Sequence, residues 1–161
     1  MKVVILCGGQ GTRLREETEY KPKPMVEIGG KPILLHIMEI YAYYGFTEFI
    51  LALGYQGHKI KDYFLNYQFM YSDFTVSLGD GSVTPHHSKD QPDWQVTLVD
   101  TGQSALKGAR IARLSRHLNG NDFMVTYGDG IANININALL EFHEKANTTA
   151  TFTGVRLPSR F

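Results

Sequence analysis

The sequence has little of several features that would mark a specialised class of protein. Cys7 is the only cysteine, so no disulfide bond can form within the chain. The apolar run that follows Lys2 ends after Cys7 at two glycines, which is too short for a signal-peptide core or a membrane span. We therefore expect a cytoplasmic protein that has no membrane partner.

An excess of charge of one sign is also lacking. The 16 lysines and arginines balance the 16 aspartates and glutamates, and the formal net charge is zero. A nucleic-acid-binding surface usually shows as an excess of positive charge, so we expect no nucleic-acid partner. The hydrophobic share of 43% and the charged share of 20% are those of an ordinary globular domain, and 161 residues suffice for one buried core.

Apolar patterning predicts strands that alternate with helices. Short β-branched or apolar runs predict strands at residues 2–7, 48–53, 73–78, 95–100, 122–127 and 150–155. Apolar residues at helical spacing predict one helix that begins at Pro32 and stops at Gly45, and others at residues 58–67, 105–118 and 137–146. Residues 8–31 are predicted to form a long ordered loop, and residues 79–93 a polar segment with little capacity to form a core.

This alternation predicts a Rossmann-like three-layer α/β/α sandwich with a mostly parallel (mixed) sheet. Ligands of such folds bind at the carboxyl ends of the strands. The segments of interest are therefore those that follow Cys7, Leu53, Asp100 and Tyr127.

The first of these segments is Gly8-Gly9-Gln10-Gly11-Thr12-Arg13. Glycines after a buried strand let the backbone turn sharply and point N–H groups at phosphate oxygens. A Walker A loop is excluded, because Thr12-Arg13 follows the last glycine where lysine and serine or threonine are required. A dinucleotide fingerprint is excluded too, because Leu14 occupies the position of its small residue. The alternative is a tight turn without a ligand.

Two further segments carry charges suited to a polyphosphate. In Lys21-Pro22-Lys23-Pro24 the prolines restrict the backbone that carries both lysines, although solvated surface lysines would read the same way. In Tyr127-Gly128-Asp129-Gly130 a carboxylate follows a predicted strand on a turn, which suits Mg²⁺, although a solvated turn residue is the alternative.

Three segments together resemble the opening signature of the sugar-phosphate nucleotidyltransferases. They are Gly8-Gly9-Gln10-Gly11-Thr12-Arg13-Leu14, Lys21-Pro22-Lys23-Pro24-Met25-Val26 and Gly30-Lys31-Pro32-Ile33-Leu34. The similarity continues through residues 94–102 and 126–130, so it spans essentially the whole chain. Residues 16–18 and 21–34 look like the members that use CTP and glucose 1-phosphate.

The resemblance implies roles for individual residues. Arg13 and Lys23 would be catalytic, by stabilising charge on the phosphates, and Asp129 would bind Mg²⁺. The positions that would bind nucleotide or substrate are Leu6, Cys7, Gly8, Gly9, Gln10, Gly11, Thr12, Arg13, Lys23, Ser104, Ala109 and Gly128. Ser104 and Ala109 are assigned to the base, although Ser104 or Thr101 also fits a helix cap.

The resemblance also implies partners and extent. We expect a trimer or hexamer, with the aromatic stretch 63–74 as a candidate contact, and a place in lipopolysaccharide or O-antigen biosynthesis. The family's second metal-binding aspartate and its sugar-binding elements have no counterpart before Phe161. Residues 1–161 are therefore expected to be the N-terminal part of the catalytic domain, truncated at the C-terminus. A transferase for another base, or a noncatalytic nucleotide-binding fragment, is the alternative.

Overall fold

The computed structural model describes residues 1–9, 20–86 and 91–155 of the chain. They divide into two compact units, Met1–Ile131 and Ala132–Phe161. None of the helices described is both long enough and apolar enough to span a bilayer.

The first unit alternates strands and helices as the sequence predicts. Its strands are β1 (Lys2–Leu6), β2 (Glu27–Ile28), β3 (Lys31–Pro32), β4 (Glu48–Leu53), β5 (Phe74–Val76), β6 (Val83–Pro85), β7 (Gln95–Asp100) and β8 (Phe123–Tyr127). Its helices are a 3₁₀ turn (Lys23–Met25), α1 (Ile33–Tyr43), α2 (Gly57–Leu65), α3 (Tyr67–Tyr71), α4 (Lys107–Ala112) and α5 (Ser115–Leu118).

A parallel sheet with the strand order β7-β4-β1-β8 forms the centre of this unit. Val4 of β1 pairs with Ile50 of β4 on one side and with Val125 of β8 on the other. Leu51 of β4 pairs in turn with Leu98 of β7. All carboxyl ends of these strands therefore meet at the same edge of the sheet.

Alternate residues of the sheet enter two separate cores, because successive side chains of a strand point to opposite faces. On one face Val3, Ile5 and their neighbours in β4 pack with apolar residues of α1 and α2. On the other face Val4, Ile50 and Ala52 pack with Leu114 and Leu118. Helices thus cover both faces, and the predicted three-layer α/β/α architecture is confirmed for the first unit.

One predicted strand is shorter than expected and lies outside the central sheet. The predicted strand at 73–78 contributes β5, which pairs antiparallel with β6 in a separate hairpin and not with the central sheet. The turn is local: the Ser77 amide donates to the Ser82 carbonyl at 2.9 Å, and Gly81 adopts a φ of +74°. All three residues of β5 are exposed, so no burial favours their entry into the sheet.

Two helix predictions need correction as well. The single helix expected at 105–118 is divided into α4 and α5, and it begins two residues later. Leu106 is extended, with a ψ of 163°, so the helix begins only at Lys107. The Leu114 amide donates to the Ile111 carbonyl at 2.9 Å instead of continuing the α-helical pattern. The helix expected at 58–67 ends earlier, and α3 follows it after Asn66.

The predicted loop at 8–31 is partly regular. Its described part contains the 3₁₀ turn Lys23–Met25 and the strand β2, which pairs antiparallel with β3.

The second unit contains α6 (Ile136–Ala146), as the sequence predicts. The side chain of Asn135 caps this helix by accepting a hydrogen bond from the Ala138 amide at 3.1 Å. Asn147 ends it in the left-handed conformation. The strand expected at 150–155 is absent from the residues described in this unit, where 151–155 have no regular structure. The apolar residues there, such as Phe152 and Val155, are exposed, and no pairing partner is described for them.

Candidate functional site

A reversal of strand order places the candidate site above β1. The chain proceeds from β1 to β4 and outward to β7, and then returns to the other side of β1 as β8. Ligands of open α/β sheets bind at such reversals, outside the carboxyl ends of the strands. Gly8 and Gly9 follow β1 there, and Gly128 and Asp129 follow β8. The Gly128 amide donates to the Leu6 carbonyl at 3.1 Å, which holds the two ends together.

A cleft of about 550 Å³ opens at this point. Four segments that are distant in sequence supply its walls. The residues that line it are Leu6, Cys7, Gly8, Gly9, Lys23, Pro24, Ala105, Leu106, Lys107, Arg110, Tyr127 and Asp129.

Two of the predicted site residues are in direct contact across the cleft. The Lys23 ammonium lies 3.2 Å from a carboxylate oxygen of Asp129. Lys23 sits in the 3₁₀ turn between Pro22 and Pro24, and the buried side chains of Pro24 and Met25 anchor that turn. Asp129, the expected metal ligand, and Lys23, the expected phosphate-binding lysine, therefore lie side by side in the cleft, although they are 106 positions apart in the sequence.

The backbone at Gly128 passes too close to its neighbours for a side chain. A Cβ placed there would lie 3.0 Å from Cγ of Pro24 and 3.2 Å from Sγ of Cys7. Because glycine leaves this space free, the turn that carries Asp129 packs directly against the segment that carries Lys23.

Cys7 lies under the cleft with its side chain almost wholly buried. Burial, and to a smaller extent the nearby carboxylate of Asp129, raise the pKa of the Cys7 thiol. The thiol therefore stays protonated at neutral pH and is not an effective nucleophile.

Sequence reasoning missed Arg110, a buried cation of the cleft. Its guanidinium donates to the carbonyl oxygen of Leu53, the last residue of β4, at 2.9 Å and to that of Gly8, just beyond β1, at 2.8 Å. It also donates to Thr101 Oγ1 at 2.7 Å and to the carbonyls of Gly102 at 2.8 Å and Gln103 at 3.2 Å, beyond β7. Burial, and then Arg113, lower the pKa of Arg110. One side chain thus ties together the ends of three strands.

Two glycines leave the space that this guanidinium fills. A Cβ at Gly8 or at Gly54 would overlap atoms of the Arg110 guanidinium. The sequence did contain a signal for Arg110, because it precedes the buried Leu114 and Leu118 at intervals of four residues. An arginine in line with core residues, just after a strand, indicates a buried polar role.

The two residues assigned to the base neighbour the described lining of the cleft in sequence. Ser104 and Ala109 are both exposed and are not among the described residues that line the cleft. The wall at this place consists instead of Ala105, Leu106 and Lys107. The assignments of Gln10, Gly11, Thr12 and Arg13 fall outside the described residues.

In the parts of the chain that the structure describes, no group of three or more His, Cys, Asp or Glu side chains is placed to hold a metal ion. Asp129 offers one carboxylate, which is 42% exposed and faces a cleft of sufficient size for a ligand. Because Mg²⁺ usually takes one or two protein carboxylates and completes its shell with phosphates and water, this donor set fits a metal that arrives with a polyphosphate.

Curated proteins that this chain resembles include glucose-1-phosphate cytidylyltransferases. The glucose-1-phosphate cytidylyltransferase of Salmonella typhimurium is 49% identical over 162 residues, which covers 100% of this chain and 63% of the relative. A probable glucose-1-phosphate cytidylyltransferase of Bacillus subtilis is 47% identical with the same coverage. The chain thus spans just under two thirds of the length of these relatives.

Solved structures share the fold. HddC from Yersinia pseudotuberculosis, complexed with GMP-PN, matches with a TM-score of 0.62 and 26% identity, over 88% of this chain and 53% of that one. A UDP-glucose pyrophosphorylase complexed with UDP-glucose matches with a TM-score of 0.63 and 18% identity, over 91% and 54% of the two chains. The family model described as "Nucleotidyl transferase" matches residues 2–161, and the chain therefore belongs to the nucleotidyl transferase family.

Proposed function

We propose that the chain is the nucleotide-binding part of an enzyme that forms CDP-glucose and pyrophosphate from CTP and glucose 1-phosphate. The observation that carries this proposal is the meeting of Gly8, Gly9, Lys23 and Asp129 in one cleft at the reversal of strand order. The similarity to glucose-1-phosphate cytidylyltransferases supports the choice of substrates.

The reaction is an in-line substitution at the α-phosphorus of CTP. A phosphate oxygen of the sugar phosphate forms a bond to that phosphorus, the bond to the bridging β-phosphate oxygen breaks, and pyrophosphate leaves with the electron pair. Such chemistry needs positioning and neutralisation of charge more than a protein nucleophile. The buried, protonated Cys7 thiol is consistent with this direct route.

The chain's own residues supply the positioning. The backbone of Gly8 and Gly9 approaches the phosphates, because glycine leaves no side chain in the way. The ammonium of Lys23 binds a phosphate of either substrate, and Arg13 stabilises charge on the α-phosphate and on the departing pyrophosphate. Leu6, Cys7 and Gly128 also contact the substrates, and Ser104 and Ala109, which lie on either side of residues 105–107 in the sequence, contact the base.

Asp129 would hold Mg²⁺ together with the phosphates. The metal, when bound, supplies charge neutralisation on the phosphate oxygens. Because the Asp129 carboxylate contacts the Lys23 ammonium, a metal held by Asp129 would leave Lys23 available to bind a phosphate.

The proposal extends to the oligomeric state, the cell compartment and the pathway of the protein. We propose a cytoplasmic homo-oligomer, a trimer or a hexamer, that works in nucleotide-sugar synthesis for lipopolysaccharide or O-antigen. Size-exclusion chromatography with light scattering tests the assembly, and a monomer at micromolar concentration would contradict it.

Pyrophosphate release separates the alternatives. The full-length protein is assayed with glucose 1-phosphate and Mg²⁺ in the presence of CTP, UTP, dTTP or GTP. We expect release with CTP at a kcat/KM at least tenfold above the others. A preference for another triphosphate would reassign the base, and binding of CTP without release would indicate a noncatalytic nucleotide-binding module.

A further inference from the structure

Lys107 is the first residue of α4 and lines the cleft. Its ammonium lies over the ring of Tyr127, 4.9 Å from the ring centroid. Both residues line the same cleft as Lys23 and Asp129. Tyr127 ends β8, and its side chain is half exposed to solvent.

The three cationic side chains that line the cleft in the described residues have different partners. Arg110 donates to neutral oxygens of three strand ends and is buried there. Lys23 contacts the carboxylate of Asp129. The contact of Lys107 is with the face of an aromatic ring, and the residue is exposed.

A cation on an exposed aromatic face has a weak and replaceable partner. A phosphate oxygen offers the same ammonium a charge-assisted hydrogen bond, which is stronger. The lysine stem is flexible, so the ammonium can leave the ring when an anion enters the cleft. The net charge of the described lining side chains favours this, since Lys23, Lys107 and Arg110 face the single carboxylate of Asp129.

We propose that Lys107 is a further substrate-binding residue, which exchanges the ring of Tyr127 for a phosphate group of the nucleoside triphosphate. This inference rests on the proposed function, because it requires a triphosphate in the cleft. It adds a cationic side chain from α4 to Arg13 and Lys23 of the proposed site.

The test compares Lys107→Met with Lys145→Met in the full-length protein. Lys145 is an exposed lysine of α6 that does not belong to the described lining of the cleft, so its loss changes the net charge equally. We expect Lys107→Met to raise the KM for CTP and its Kd by about tenfold, while kcat and the KM for the sugar phosphate change less than threefold. Lys107→Arg, which keeps the charge, is expected to restore the KM to within threefold, and Lys145→Met to match the wild type.

Inorganic tripolyphosphate, used as a competitive inhibitor against CTP, identifies the group that Lys107 contacts. We expect Lys107→Met to weaken inhibition by tripolyphosphate as much as it weakens CTP binding. Weaker binding of CTP with unchanged inhibition by tripolyphosphate would overturn the assignment to phosphate.

The remaining outcomes separate the two proposals. Equal KM values for Lys107→Met, Lys145→Met and the wild type would overturn this inference and leave the proposed function intact. A wild-type protein that binds none of the four triphosphates would overturn the proposed function, and this inference with it.

Discussion

Arg110 and Lys23 both line the cleft, but the chain holds these two cations in different ways. Arg110 is buried and donates hydrogen bonds to five oxygens at the ends of β1, β4 and β7. Lys23 is partly exposed and contacts one carboxylate, that of Asp129. A group with many buried partners fixes the shape of the site, whereas an exposed ion pair exchanges its partner easily. The same cleft therefore combines a fixed wall, formed by Arg110 and the strand ends that it contacts, with a replaceable contact, the ion pair of Lys23 and Asp129.

The largest expected effect is on kcat and comes from Asp129, one partner of the replaceable contact. Asp129→Asn removes the carboxylate that would hold the metal, and we expect kcat of the full-length protein to fall about 10²–10³-fold, since one preorganised contact contributes about 2.7–4 kcal/mol to the barrier. Steady-state pyrophosphate release measures this. Asp122→Asn is the control, because Asp122 is exposed just before the opposite end of the same strand, β8. A kcat for Asp129→Asn within threefold of the control would contradict the role of Asp129.

A substitution in the fixed wall should lower the free energy of unfolding. Arg110→Met leaves several buried oxygens without a donor, at a cost of about 1–3 kcal/mol for each one that stays unsatisfied. Partial access of water from the cleft reduces the total, and we expect the free energy of unfolding to fall by about 3 kcal/mol in urea denaturation. Arg113→Met, which removes a bond from an exposed arginine to the Thr101 carbonyl, should cost about 1 kcal/mol or less. Similar losses in the two variants would remove the contrast on which the comparison depends.

Gly8→Ala tests the close contact between the Gly8 backbone and the Arg110 guanidinium in the fixed wall. The added methyl group would overlap the Arg110 guanidinium, and overpacking of this kind costs about 1–3 kcal/mol. In a background of Arg110→Met the space is open, so the same change should cost much less. A double-mutant cycle on the free energy of unfolding measures this coupling, and strictly additive effects would show that the two positions are independent.

The smallest effect is expected at Lys23. Lys23→Met breaks a solvent-accessible ion pair, and such pairs contribute about 0–1 kcal/mol to stability. The free energy of unfolding should therefore fall by less than about 1 kcal/mol in the same urea experiment, even though CTP binding weakens. A loss as large as that of Arg110→Met would place Lys23 with the fixed wall.

The central strands were predictable because burial leaves a direct record in the sequence. The run Glu48–Leu53 matches β4 residue for residue, and β1 differs from its prediction by one residue. Apolar, β-branched runs of this length fit a strand that is covered on both faces. Gly8, Lys23 and Asp129 were also found from local motifs, and they converge on the cleft.

Features that depend on distant partners were not predictable in the same way. Arg110 contacts residues 57 and 102 positions away, so its role appears only when the ends of β1, β4 and β7 meet. The pattern of β5 suits either a hairpin or an edge of the central sheet, and the turn at Gly81 decides between them. Lys107 belongs to no recognisable sequence motif. Its proposed role becomes visible only when the fold brings it to the ring of Tyr127.

The guanidinium of Arg110 fills the space that a Cβ at Gly8 or Gly54 would need, which restricts how these positions can change in evolution. Neither glycine can gain a side chain while Arg110 is present, a side chain at position 54 would in addition meet the Gly8 backbone at 2.9 Å, and a shorter residue at position 110 opens a void beside both glycines. In a family of related sequences we expect positions 8, 54 and 110 to vary together or to stay fixed together, so that the three behave as one inherited unit.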